Sequence, residues 1–202
     1  MIPHHAYHVY QGNHWEQIVR SHFSAAEQSG LLAELQWLGV GVVGEHPEDV
    51  LDVIAEYRPA DAYVSAPQGW EHVTLEMVRW HATAWNQDGH CLLYAHTKGA
   101  ANLSPFNDAW RVSMTRFCVW DWKFAVDQLL VSDVAGCHWI EDGHRFFGGN
   151  FWWATMTYLN RVPDLDYHSR YMAEIWIGEA NPRVADLNPG WPDLNRFAEG
   201  EQ

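Results

Sequence analysis

Leu35-Gln36-Trp37-Leu38-Gly39-Val40-Gly41-Val42-Val43-Gly44 is the run on which the fold turns. Residues 35–43 are rich in Leu and Val and stop at a glycine, which reads as a strand. Pro47 then stands where a helix opens at its first turn. Val50, Leu51, Ile54 and Tyr57 form the apolar stripe of that helix, and Arg58-Pro59 ends it. Upstream, residues 6–10 read as a short strand closed by Gln11-Gly12. Asn13 with Glu16 three residues later matches a capping box. Trp15, Ile18, Val19, Phe23 and Ala26 follow at helical spacing, and Ser29-Gly30 closes the helix. Downstream, residues 62–65 read as a strand before Pro67. Trp70, Val73, Met77, Val78, His81 and Trp85 suit a helix, 86–89 a turn, and 91–95 a compact apolar strand. The order β-α-β-α-β-α-β favours a parallel sheet with helices packed on it. Ligands in such sheets sit at the carboxyl ends of the strands. That places the loops after Tyr10, Val43, Ser65 and Ala95 on one rim.

The chain has 202 residues, 48% hydrophobic and 19% charged. This is the composition of a folded domain with a real core. Its formal charge is -14, from 12 Lys+Arg against 26 Asp+Glu. That balance argues against nucleic-acid backbones and anionic membrane surfaces as partners. Only two lysines occur, Lys98 and Lys123, beside 13 Trp and 13 His. Few cations are therefore at hand for an anionic ligand. Cys91, Cys118 and Cys137 form an odd, widely spaced set with no CxxC pair, which predicts a reducing, cytoplasmic setting. No apolar stretch approaches the roughly 20 residues that span a bilayer, and the N-terminus lacks a secretory pattern.

After residue 100 the pattern changes. Residues 107–130 read as one or two helices, 146–153 as an aromatic strand or a strand–helix junction, and 171–177 as a last strand or helix. From Asn181 the chain is rich in Pro, Asn and Asp, which predicts a loop or tail over 181–202.

Three segments have the residue types for chemistry. In Tyr94-Ala95-His96-Thr97-Lys98-Gly99 a strand runs into a polar turn. Lys98 there reaches a phosphate as a point charge, and Gly99 lets backbone N–H groups approach. The same turn reads equally as a solvated surface loop. In Phe146-Phe147-Gly148-Gly149-Asn150-Phe151-Trp152-Trp153-Ala154, an amide stands among rings that suit either a sugar face or the core. Glu174 lies inside an apolar segment, Arg170 to Gly178. It is a candidate base, or one half of an ion pair with Arg170.

Metal ligation is not indicated by any motif. Asp164-Leu165-Asp166 is an Asp-x-Asp, but it follows Pro163 rather than a strand end and reads as a solvated loop. His138, Glu141, Asp142 and His144 form a possible mixed ligand set. Dinucleotide, P-loop and nucleophile-elbow glycine patterns are absent.

Together these segments, from Tyr7 to Gly178, resemble a family of small glycosyltransferase-like proteins of bacteria and viruses. His96-Thr97-Lys98-Gly99 and Gly149-Asn150-Phe151-Trp152-Trp153-Ala154 are the specific parts of the likeness. The resemblance implies an α/β, GT-A-like fold: one domain over 1–180, with a Rossmann-like nucleotide-sugar half (1–99) and a mixed α+β acceptor half (100–180). It implies a transferase that moves a sugar from a nucleotide-diphosphate donor, a UDP-sugar first of all, to a hydroxyl on a glycan, a protein or a lipid-linked sugar. GT-A enzymes usually end the fourth strand of this half in Asp-x-Asp, which holds Mg or Mn. Here His96-Thr97-Lys98 stands there, so a fixed cation would replace the metal.

The roles that follow are expectations. Tyr10, Thr97, Gly99, Arg111 and Asn150 bind the nucleotide sugar. His96 and Lys98 neutralise the leaving diphosphate. Trp152 and Trp153 stack on sugar, and Glu174 takes the acceptor proton, with Asp121, Glu141 and Asp142 in reserve. A binding module without catalysis, and a metal-dependent hydrolase built on His138 to His144, are the competing readings.

Overall fold

A computed structural model describes residues 1–189 of the chain. The first half holds β1 (Ile2–Tyr10), α1 (Trp15–Gln28), α2 (Leu31–Glu34), β2 (Trp37–Val43), α3 (Pro47–Ala55), β3 (Ala62–Ala66), α4 (His72–Ala84) and β4 (His90–His96). Its four strands are parallel, in the order β3-β2-β1-β4. The second half holds α5 (Pro105–Thr115), a π-helical turn Arg116–Trp120, α6 (Trp122–Gln128), β5 (Val134–Gly136), β6 (Trp139–Asp142), β7 (His144–Phe147), β8 (Trp152–Thr155), α7 (Met156–Leu159), α8 (Arg170–Ile175), a 3-10 turn Trp176–Gly178 and β9 (Val184–Asp186). β8 runs antiparallel between β4 and β5, and β9 lies parallel on β5. One seven-stranded sheet results, β3-β2-β1-β4-β8-β5-β9, with β6 and β7 paired apart as a hairpin. This is the mixed α/β class expected, parallel in its first half and mixed beyond.

The two faces of the sheet bury separate apolar layers. Leu93 of β4 and Trp153 of β8 join Phe23 of α1 and Val119 on one side. Leu92, Tyr94 and Trp152 join Leu75 and Val78 of α4 and Trp176 on the other. The alternation of side chains along a strand produces this division. Gly41 of β2 lets α4 lie close, because a Cβ there would fall 1.8 Å from the Thr74 hydroxyl.

Three expectations are corrected. The capping box at Asn13 does not form: α1 begins at Trp15, with His14 at its cap position and no side-chain cap. The Ala100 and Gly12 carbonyls take the N–H groups of His14 and Trp15 instead. The aromatic segment is not one strand. Gly149 (φ 87°) and Asn150 (φ 54°) turn left-handed and separate β7 from β8. The 181–202 loop holds a strand at 184–186, because Arg183 N–H and side chain both bond to Asp133 and deliver β9 to β5. The remainder of that segment, 190–202, lies outside the described residues.

Buried histidines fill β1. His8 Nδ1 lies 2.7 Å from the Thr74 hydroxyl, on the α4 face. His5 Nδ1 donates to the Leu93 carbonyl (3.0 Å), and its Nε2 lies 2.9 Å from His22 Nε2 on the α1 face. Burial lowers His5 and His8 to about 4 and drives His22 well below its ordinary value. An unfolded chain protonates these rings near pH 6.5, while the folded one keeps them neutral. Their neutral burial therefore supports the fold fully above that pH, and the support is lost as pH falls from about 6.5 towards 4. The melting temperature is expected to drop by roughly 10 °C or more between pH 7 and 5, at ~1.4 kcal/mol per pH unit for each ring. A flat profile in a thermal melt series contradicts neutral burial.

Asn150 is a second buried polar point. Its side-chain oxygen accepts from Trp152 Nε1 and its Nδ2 donates to Glu71, each at 2.7 Å. Asn150→Ala leaves the buried Trp152 N–H unmatched and takes one of two donors from Glu71, and is expected to cost about 2–4 kcal/mol. The readout is a lower denaturant midpoint at unchanged slope; a wild-type midpoint contradicts the bridging role.

Candidate functional site

The carboxyl ends of β3, β2, β1 and β4 open into a cavity of about 860 Å³. All four predicted loops meet there, and α8 of the second half closes the far wall with Arg170 and Glu174. Backbone and side-chain bonds lock the rim. Thr97 Oγ1 accepts from the Tyr10 N–H at 2.8 Å, and the Thr97 N–H donates to the His8 carbonyl. Gln11 clasps the backbone of His46 through both ends of its amide, at 2.6 and 3.0 Å. Gly12 lets the loop after β1 touch the loop after β4, since a Cβ there would fall 2.5 Å from the Ala100 carbonyl oxygen.

The electrostatic centre of the cavity is Glu71, at the start of α4. Tyr94 Oη and Asn150 Nδ2 both donate to its Oε2 at 2.7 Å. His96 Nδ1 lies 3.7 Å from its Oε1. Burial by itself would raise the pKa of this carboxyl. His96 and His8 nearby, with the bonds from Tyr94 and Asn150, outweigh burial and hold it below the usual value. Glu71 is thus a fixed anion on the cavity floor. His96 is fixed too, because its Nε2 donates to the Gly149 carbonyl at 2.8 Å.

Among the expected site residues, Tyr10, His96, Lys98 and Glu174 line the cavity together. Tyr10 stands exposed at its lip. The Lys98 ammonium sits 4.3 Å over the centroid of the Trp110 ring, a cation–π contact at the cavity edge. Glu174 is half-buried on α8. It makes no ion pair with Arg170, whose guanidinium instead donates to the Tyr171 hydroxyl; Glu174 acts on it only through space.

Others are placed elsewhere. Trp152 and Trp153 are wholly buried, one stacked on Tyr94 and the other donating to the Cys118 carbonyl, so neither offers a face to sugar. Asn150 stands behind Glu71 with its amide already engaged at both ends. Arg111 pairs with Asp108 and donates to the Lys98 carbonyl, so it braces the turn from behind. Thr97 and Gly99 (φ 88°) shape the same turn. His96 lines the cavity, but its Nε2 already donates to the Gly149 carbonyl and its Nδ1 stands 3.7 Å from the Glu71 carboxylate, an anion that repels a diphosphate.

Glu45, Asp49, Glu71 and Glu174 all line the cavity. Even so, among the described residues no three His, Cys, Asp or Glu side chains gather as a metal-holding set. The described residues of the cavity thus do not fit a divalent-cation site. Glu141, Asp142 and His144 lie exposed on the β6–β7 hairpin, away from the cavity, and Asp164 pairs with Arg79.

Glu71, His8 and Arg170 are site residues that the sequence pattern did not single out as such. Glu71 falls between Trp70 and Val73, outside the apolar pattern read for α4, and its partners stand 23 and 79 residues away. Only the fold brings them together.

Solved structures share this architecture. The 4-diphosphocytidyl-2C-methyl-D-erythritol synthase of Anaerococcus prevotii DSM 20548 aligns over 93% of this chain and 90% of its own, at 6% identity and TM-score 0.51. A protein of Desulfovibrio desulfuricans G20, inferred to be a nucleotide-diphospho-sugar transferase, aligns over 92% and 79% at 13% identity and TM-score 0.47. The galactosyltransferase LgtC, solved with donor and acceptor sugar analogs, aligns over 82% and 61% at 10% identity and TM-score 0.37. At such identities the likeness is one of fold, and the fold is GT-A-like. No curated protein matches the chain. Residues 9–200 match the model of the family described as Domain of unknown function (DUF8361), and the chain belongs to that family.

Proposed function

We propose that the protein is a transferase that takes a sugar from a nucleotide-diphosphate sugar to a hydroxyl acceptor, a glycan, protein or lipid-linked sugar. The observation that carries this reading is the pairing of opposite charges across one cavity. Lys98 stands at the end of β4 and Glu174 on α8, at the rim where parallel α/β sheets take their ligands. The fold adds support by analogy, since a nucleoside diphosphate moiety is common to the name of the synthase above and to a sugar-nucleotide donor.

In this reading the diphosphate lies against Lys98, one of only two lysines in an acidic chain. The acceptor oxygen bonds to the anomeric carbon as the bond from that carbon to the phosphate oxygen breaks. The bonding pair leaves with the diphosphate, whose growing charge Lys98 stabilises. Glu174 accepts the acceptor's hydroxyl proton and returns it to solvent. Arg170, on the same helix, adds a second positive charge beside the donor. Cavity-lining Tyr10 borders the base at the lip. Thr97, Gly99 and Arg111 hold the turn that presents Lys98. The donor panel begins with UDP-sugars.

The test is a nucleotide-sugar panel read by released nucleoside diphosphate. Lys98→Ala is expected to lower turnover by more than about 10-fold, the scale of a lost electrostatic contact to a leaving group, with the melting temperature little changed. Glu174→Gln is expected to lower turnover while nucleoside diphosphate still binds. An unaffected rate removes the altered residue from the mechanism. A protein that binds donors tightly yet releases no diphosphate with any acceptor or water is a binding module.

A further inference from the structure

We propose that Glu71 receives a hydroxyl group of the ligand on its Oε1, so that a polyhydroxylated moiety, and not a nucleoside diphosphate alone, completes the cavity. This rests on the nucleotide-sugar reading above and names the part of the ligand that the cavity floor selects.

The two oxygens of Glu71 are unequally served. Oε2 takes both the Tyr94 hydroxyl and the Asn150 amide at 2.7 Å. Oε1 accepts no hydrogen bond from the described residues, and its ion-pair neighbour, His96 Nδ1, stands at 3.7 Å, beyond hydrogen-bond reach. A carboxylate oxygen at the wall of a cavity calls for a donor. His96 does not close that bond: its Nδ1 stands 3.7 Å away and its Nε2 already donates to the Gly149 carbonyl. An acceptor with no donor in reach among the described residues therefore stands at this corner of the cavity wall.

The chemistry of that corner sorts the parts of a donor. Ionised phosphate oxygens are acceptors and anions, and Glu71 repels them. Lys98 and Arg170 attract them to other parts of the wall. Hydroxyls are donors, and one O–H of a polyhydroxylated moiety supplies what Glu71 Oε1 lacks. The grip on Oε2 from β4 and from the left-handed turn at Asn150 fixes where Oε1 points. Tyr94 and Asn150 thus act as positioning residues for Glu71.

The experiment compares affinities by calorimetry for matched pairs, UDP with UDP-glucose and GDP with GDP-mannose, in wild type and in Glu71→Gln. The glutamine keeps the volume. Its oxygen still accepts from Tyr94 and Asn150, and its NH2 replaces the acceptor with a donor. The expected result is about 10-fold or greater weakening for the sugar nucleotide that wild type binds. The matching nucleoside diphosphate is expected to bind as well as before, or more tightly, since one negative charge is gone. Tyr94→Phe, which leaves the cavity lining intact, is expected to move the same ratio by about 3-fold, and it serves if Glu71→Gln does not fold. Equal changes for both members of a pair, or none, in the variant that folds mean that Glu71 is structural, and overturn the inference alone. A wild-type protein that binds neither member of any pair overturns the nucleotide reading and the inference with it.

Discussion

A carboxylate set between the two halves of the sheet governs the rest of this structure. Glu71 cannot remain ionised at the foot of a cavity without donors, and it draws them from distant parts of the chain. Tyr94 comes from β4, the last of the four parallel strands of the first half, and Asn150 from the turn before β8. That shared demand ties α4, β4 and β8 together at the point where the sheet changes from parallel to mixed. It also accounts for the left-handed Asn150, a conformation that asparagine tolerates better than most residues. The aromatic rings around it then act as packing: Trp152 stacks on Tyr94 and donates to Asn150, so the same cluster is both core and support for the site.

The charge distribution gives the cavity its direction. A chain with a formal charge of -14 holds few cations, yet Lys98 and Arg170 both reach this one rim. Lys98 is held over Trp110, and its backbone carbonyl is gripped by Arg111. The cation is thus pre-placed rather than recruited, which is the condition under which electrostatic stabilisation of a leaving group is largest. In the proposed reading, the acidic floor and the basic edge divide the cavity into a place for hydroxyls and a place for phosphates.

Much of the fold was legible in the sequence because local signals agreed with one another. Pro47 opens α3 as its position predicts, Gly30 ends α1 with a left-handed φ, and Ile18, Val19, Phe23 and Ala26 of the α1 stripe are buried. Of the stripe read for α4 only Met77 and Val78 are buried, and Trp70 lies exposed before the helix. The rim was legible too, since strand ends in a parallel sheet share one side. What was not legible depended on tertiary pairing. β9 is only three residues long and owes its place to Asp133. Trp152 and Trp153 carry the composition of a stacking surface, and only their burial separates core from platform. His96 pointed to phosphate by sequence, whereas the Gly149 carbonyl takes its Nε2 and the Glu71 carboxylate stands beside its Nδ1. Glu71 left no trace in periodicity or motif, because its meaning lies in contacts 23 and 79 residues away.

The position of a bound nucleotide tests the central claim most directly, and a crystal structure of the protein with UDP-glucose or GDP-mannose measures it. The account predicts diphosphate oxygens within hydrogen-bond distance of Lys98 Nζ, at the carboxyl rim of β1 and β4, with the sugar lying towards Glu71. A diphosphate bound away from Lys98, or a nucleotide bound outside this cavity, would contradict it.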